Sequence, residues 1–114
     1  MLKVTGDKVY LTRGDTGFLK LSILDDVGDT FTPSEGDKVI FRLKKTTTSE
    51  RLLIEKEVNL DTMVLSFDED DTKHMSFGIY RYEIEVVTNL GQHFTVIENS
   101  EFEIGAELEV HSET

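Results

Sequence analysis

The chain has 114 residues, a length typical of one domain, and its hydrophobic fraction of 38% is enough for one modest core. It has no cysteine, which excludes disulfides, thiolate metal sites and thiol nucleophiles. Its formal net charge of -11 argues against partners that need a basic surface, namely nucleic acid and anionic membranes.

The negative charge is concentrated in the second half of the sequence. Residues 1–57 contain 10 basic and 10 acidic side chains, whereas residues 58–114 contain 2 and 13. The excess indicates either a well-solvated β-protein surface or a face that meets a basic partner protein. No segment reaches the ~20 apolar residues of a membrane span. The N-terminus lacks the apolar core of a signal peptide, so we expect a complete chain with no secretion signal.

Alternation with period two, which is typical of half-buried strands, begins near the N-terminus. In the first half it predicts strands at 9–11, 19–23, 39–43 and 52–58. Lys56 interrupts the apolar face of the fourth strand. Segments rich in Gly, Asp and Pro separate these strands and predict turns.

The second half continues this pattern, with predicted strands at 63–67 and 80–86 and a last long strand that opens at 94–96 and resumes at 102–110. Asn89-Leu90-Gly91 predicts a hairpin connection, and Asn99-Ser100 predicts a bulge or a break. Residues 68–75 begin with acids and end with Lys73 and His74. This order suits the helix dipole and predicts a short crossover helix.

The number and spacing of these strands predict an all-β, immunoglobulin-like antiparallel β-sandwich of seven to eight strands with one short crossover helix near 68–75. Asp71, Gly78 and Tyr80 favour a sandwich over a barrel, because they fit the tyrosine corner of such folds. We expect the ring of Tyr80 or Tyr82 to be buried, with its hydroxyl bonded to backbone within 68–75. One domain should cover 1–110, with a frayed tail at 111–114. The predicted core is Leu19, Leu21, Ile23, Val39, Phe41, Leu43, Tyr82, Ile84 and Phe102.

Two acidic segments are candidate calcium sites, because Ca²⁺ binds several oxygens. The first is 68–71, but an EF-hand loop begun there would need Gly and Glu where the chain has Lys73 and Ile79. Capping of a helix start explains these acids better. Turn formation likewise explains the second group, Asp25, Asp26 and Asp29.

The remaining candidates for chemistry are isolated. His74, His93 and His111 are scattered and accompany no nucleophile motif. Arg13-Gly14-Asp15 spells an integrin-binding tripeptide, but Gly14 is explained by a tight turn. We therefore predict a protein that is not an enzyme, with no catalytic, cofactor-binding or metal-binding residues.

Two parts of the sequence resemble a phage protein family. The first comprises Gly14-Asp15, the alternating Leu19, Leu21 and Ile23, the turn Asp25-Asp26-Val27-Gly28, and Gly36-Asp37-Lys38-Val39-Ile40-Phe41-Arg42-Leu43-Lys44. The second comprises Phe67, Asp71-Thr72, Gly78-Ile79-Tyr80-Arg81-Tyr82-Glu83-Ile84, Gly91, Thr95 and Phe102-Glu103-Ile104. Together they resemble the N-terminal β-sandwich domain of upper baseplate proteins from phages and prophages of Gram-positive bacteria. The resemblance implies a structural role in a virion or tail, located in the virion or in the host bacterial cytoplasm during assembly.

Three functional hypotheses follow. The first is a structural or assembly protein that contacts itself or other virion proteins through edge strands, with a basic protein surface as a further partner. The second is a carbohydrate- or receptor-binding module, and the third is an accessory domain of an enzyme encoded nearby. We also expect repulsion between Glu83 and Glu85 on one strand and Glu101 and Glu103 on its neighbour.

Overall fold

The computed structural model describes residues 2–24 and 27–106. This part of the chain contains eight strands and one short helix. The strands are β1 (Leu2–Thr5), β2 (Lys8–Thr12), β3 (Gly17–Lys20), β4 (Lys38–Lys44), β5 (Ile54–Glu57), β6 (Val64–Phe67), β7 (Gly78–Val87) and β8 (His93–Gly105). The helix α1 (Glu69–Thr72) lies within the predicted crossover segment.

The strands form a six-stranded sheet with the order β1-β2-β8-β7-β4-β5 and a two-stranded sheet, β3-β6. The predicted all-β sandwich with one short crossover helix is confirmed. One strand pair departs from the predicted antiparallel arrangement. β2 runs parallel to the end of β8, with Val9 opposite Phe102, so the large sheet is mixed.

The core lies between the two sheets and is centred on a cluster of aromatic rings. The ring centroid of Phe41 lies 5.4 Å from that of Phe67, 5.5 Å from Tyr82 and 5.7 Å from Phe102. The predicted core residues are buried, with one exception. Leu19 is only partly buried, because the small sheet leaves its side chain beside an open groove.

Two buried tyrosines tie β7 to distant parts of the fold. The Tyr80 hydroxyl donates a hydrogen bond to the Ser76 carbonyl, at 2.7 Å, which forms the tyrosine corner. Its acceptor lies one residue beyond the predicted segment 68–75. The Tyr82 hydroxyl instead donates to the carbonyl of Asp7, in the turn between β1 and β2. Burial raises the pKa of both hydroxyls, and that of Tyr82 rises to about 12.

The lysine that interrupts the apolar pattern of β5 has a specific partner. The Lys56 Nζ lies 2.9 Å from Asp71 Oδ2, and each side chain is about one-fifth exposed. Asp71 Oδ2 also accepts the backbone N–H of Asp68 at the start of α1. Lys56 therefore connects the large sheet to the helix that follows β6.

The hairpin and bulge predicted in the last two strands are both present. The Thr88 N–H donates to the Gln92 carbonyl across the turn between β7 and β8. Farther along, the register shifts between the pairs Tyr82–Ser100 and Ile84–Ile97, where Asn99 has a φ of 42°, and again between Ile84–Ile97 and Glu85–Thr95. The bulge changes the course of β8 near its middle.

Sequence alternation was a poor guide to some strand limits. It predicted a strand through residue 23, but β3 ends at Lys20. Leu21 and Ile23 remain buried, and the Leu21 N–H donates to the Met63 carbonyl. The predicted end of the last strand at 108–110 and the tail at 111–114 lie outside the described residues.

Candidate functional site

The outer face of the large sheet carries charges that neutralise one another. Arg42, on β4, lies 2.8 Å from Glu55 and Glu85 and 3.4 Å from Glu83. The hydrogen bond from Arg42 lowers the pKa of Glu85 below its usual range. His93 Nδ1 lies 3.3 Å from the second carboxylate oxygen of Glu85.

The expected repulsion between acids on β7 and β8 is wrong. The register places Arg81 directly opposite Glu101, and their charged atoms lie 3.6 Å apart. Lys8, on β2, lies 3.5 Å from Glu101 and 3.6 Å from Glu103. Arg81 and Lys8, together with Arg42 on β4, therefore form ion pairs with the acids that were expected to repel one another.

The acidic segments form no metal site in the part of the chain that the structure describes. No group of three His, Cys, Asp or Glu side chains there is arranged to hold a metal ion. In segment 68–71, Asp71 binds Lys56 and the Asp68 N–H, as a structural acid does. Asp25 and Asp26 lie outside the described residues, so the second candidate loop is only partly described.

The histidines and the Arg-Gly-Asp tripeptide do not converge on a site. His74 and His93 are exposed in different parts of the fold, and His111 lies outside the described residues. The Arg13 guanidinium lies 4.2 Å from the ring centroid of Phe77, and the Gly14 N–H donates to Thr72 Oγ1. The tripeptide is therefore packed against the corner between α1 and β7.

The most distinctive surface feature is an open sheet edge at the start of β8. β2 pairs with β8 only from Phe102 to Gly105. Among residues 2–24 and 27–106, no backbone group pairs with the same side of residues 93–97. We call residues 93–97 the open edge.

The hydrogen-bond pattern shows which backbone groups the open edge presents. The Thr88 N–H donates to the Gln92 carbonyl and the Gln92 N–H donates to Thr88 Oγ1, so these two residues face each other as a hydrogen-bonded pair. In an antiparallel ladder such pairs alternate with pairs that do not exchange hydrogen bonds. Phe94 therefore bonds to Val86 on β7, whereas the N–H and C=O groups of His93 and Thr95 point away from β7. Both residues offer a donor and an acceptor to an added strand.

An apolar groove of about 660 Å³ lies beside the open edge, between the inner face of the large sheet and the chain segment that follows β3. The turn between β1 and β2 also contributes to its wall. The groove exists because the two-stranded sheet is too small to cover the six-stranded one. Its lining includes Leu19, Ile23, Phe31, Ile84, Val86 and Phe94.

Large apolar side chains remain exposed around the groove. Leu24 is 62% exposed and Phe94 is 50% exposed, although Phe94 lies opposite buried Val86 on the inner face of the sheet. Such exposure beside a concave surface is typical of interaction sites.

The open edge lacks the charged side chains that protect the outer edge of β5 against pairing with another chain. β5 has the sequence Ile-Glu-Lys-Glu, and charged side chains discourage pairing with a foreign strand. The open edge is His-Phe-Thr-Val-Ile, which has no Asp, Glu, Lys or Arg. Sequence analysis missed this site, although residues 93–97 end an uncharged stretch, 86–97, in the acidic half, which was a usable signal.

No helix in the described ranges is long and apolar enough to cross a membrane. Comparison with known proteins found no matching family model, no matching curated protein and no matching solved structure.

Proposed function

We propose that this chain is a non-enzymatic structural or assembly protein of a phage or prophage virion or tail, which acts through protein–protein contacts. The observation that supports it best is the uncharged open edge beside an apolar groove. Unpaired backbone groups and uncovered apolar surface both become more stable when another chain covers them.

The assignment to a virion or tail rests on the sequence resemblance to upper baseplate proteins. The sandwich architecture is compatible with that resemblance, although a fold alone does not establish function. A protein with this role works in the virion, or in the host bacterial cytoplasm while the virion is assembled.

Sedimentation velocity provides the test. The purified protein is examined alone and with the products of neighbouring genes, at low and high salt. Assembly predicts a faster-sedimenting complex with at least one tail or virion protein. A strict monomer that binds none of these proteins at any salt concentration contradicts the proposal and favours a glycan- or receptor-binding module, which a glycan array then examines.

A further inference from the structure

We propose that the open edge accepts an extended segment of a basic partner protein as an added β-strand, with alternate apolar side chains of that segment entering the groove. This inference rests on the proposed function and identifies the surface and the chemistry of its partner.

The backbone of the open edge sets the length and the form of the segment. Five residues of strand span about 17 Å. The N–H and C=O groups of His93 and Thr95 provide two donors and two acceptors at the spacing of a sheet ladder. Main-chain bonds of this kind give affinity for an extended chain, whatever its sequence.

The groove sets the pattern of the segment's side chains. Successive side chains of a strand point to opposite faces of the sheet, so every second residue of the segment faces the groove. Phe94, Val96 and Ile97 already contribute apolar surface to its lining. Apolar residues at alternate positions would cover Phe94 and the exposed Leu24.

Charge favours a basic partner over a second copy of this chain. Two copies would bring together two molecules that each carry a formal charge of -11. Near the open edge, Glu98 and Asp7 are exposed, and Glu98 has no ion-pair partner within the described ranges. Lysine or arginine on the outer face or at the ends of the added segment would meet these two carboxylates.

The first test measures binding of a fluorescein-labelled peptide, Lys-Val-Lys-Ile-Lys-Val-Lys, by fluorescence anisotropy. Three matched peptides serve as controls: one with the apolar residues made contiguous, one with Glu in place of Lys, and one N-methylated on alternate residues to block pairing along one edge. The proposal predicts that the alternating basic peptide binds at least about tenfold more tightly than each control. Equal binding of the contiguous peptide would show nonspecific charge attraction and would overturn the proposal.

The second test changes the protein at the edge. Thr95→Pro removes an outward N–H, and proline is tolerated at edge positions because the bond to β7 is not used there. Thr95→Val retains that N–H. We expect Thr95→Pro to weaken peptide binding about tenfold and Thr95→Val to leave it nearly unchanged. Circular dichroism confirms that both variants fold; if Thr95→Pro does not, the N-methylated peptide tests the same bonds on the natural protein.

The third test changes the groove. Phe94→Ser removes an apolar side chain from the groove and should weaken binding several-fold. Phe18→Ser is its control, because Phe18 is 72% exposed and does not line the groove. Equal effects of the two substitutions would exclude the groove as the binding site.

The same Thr95 variants, sedimented with the products of neighbouring genes, separate this inference from the proposed function. If the natural protein and Thr95→Pro form the same complex, assembly is correct but the open edge is not the contact. If the natural protein forms no complex, the proposed function itself fails. A dimer of the protein alone that Thr95→Pro abolishes would identify a second copy as the occupant and would contradict a basic partner.

Discussion

Replacing Tyr82 with Phe should reveal how one hydroxyl connects the first hairpin to the middle of the large sheet. The substitution removes the hydrogen bond to the Asp7 carbonyl, 75 residues away in the sequence, but keeps the ring. The ring centroid lies 5.5 Å from that of Phe41 and 6.0 Å from that of Phe102, and these contacts should persist.

The expected loss at neutral pH is about 1 kcal/mol in the free energy of unfolding. A buried hydrogen bond contributes about 0.5–1.5 kcal/mol, and an acceptor left unpaired in the interior costs up to about 3 kcal/mol. Asp7 is exposed, so its carbonyl can bond to water once the hydroxyl is removed. The lower figure therefore applies.

The sign of the effect should reverse at high pH. Burial, with a smaller contribution from the negative charge of Asp7, raises the pKa of Tyr82 to about 12. The pKa of tyrosine in an unfolded chain is about 10. The natural protein should keep its full stability below pH ~10 and lose about 2 kcal/mol as the pH rises to ~11.5. The Phe variant has no hydroxyl to ionise, so the free energies of unfolding of the two proteins should become equal at pH ~11.

Urea unfolding followed by circular dichroism between pH 7 and pH ~11.5 measures this difference. Other titrating groups are common to both proteins and largely cancel in the comparison. A difference between the two proteins that does not change with pH would refute the account of Tyr82 burial. Equal stability at neutral pH would refute the bond to Asp7.

Four further substitutions test the packing and the ion pairs. Phe41→Ala should cost about 3–5 kcal/mol, because it leaves a cavity among three rings, and a loss under about 1 kcal/mol in urea unfolding would contradict a central role. Asp71→Ala should cost more than Lys56→Ala by about 1 kcal/mol, because Asp71 also accepts the N–H at the helix start; equal losses in thermal unfolding would show that this second bond contributes nothing. Arg42→Gln should cost about 1 kcal/mol at neutral pH. Because Arg42 lowers the pKa of Glu85, that difference should shrink as the pH falls through and below the ordinary glutamate range, and urea unfolding at several pH values would contradict the account if the difference grew.

Sequence alternation predicted the strands whose two faces differ most. β4 and β7 alternate regularly in burial, and most of their outer positions are polar, with Ile40, Ile79 and Val87 as exceptions, so their existence and their inner faces were predictable. Helix α1 was predictable because acids at a helix start interact favourably with its free N–H groups. β3 was harder, since Leu21 and Ile23 continue the pattern although the strand has ended.

Features that depend on the order of strands in the sheet could not be predicted from the local sequence pattern. The environment of Glu85 is set by Arg42, which is distant in the sequence and becomes a neighbour only because β4 pairs with β7. The open edge has a similar origin, because it depends on where β2 begins alongside β8. The uncharged run at 93–97 marks a strand without edge protection, but only the topology shows that it is an edge.

Amide hydrogen exchange at the start of β8 tests the central claim most directly. In the free protein, the Phe94 amide should exchange slowly because it bonds to β7, whereas the amides of His93 and Thr95 should exchange rapidly. When the partner protein binds, these two amides should become protected. Protection of His93 and Thr95 in the free protein, or protection on binding that appears only at other edges, would contradict the account.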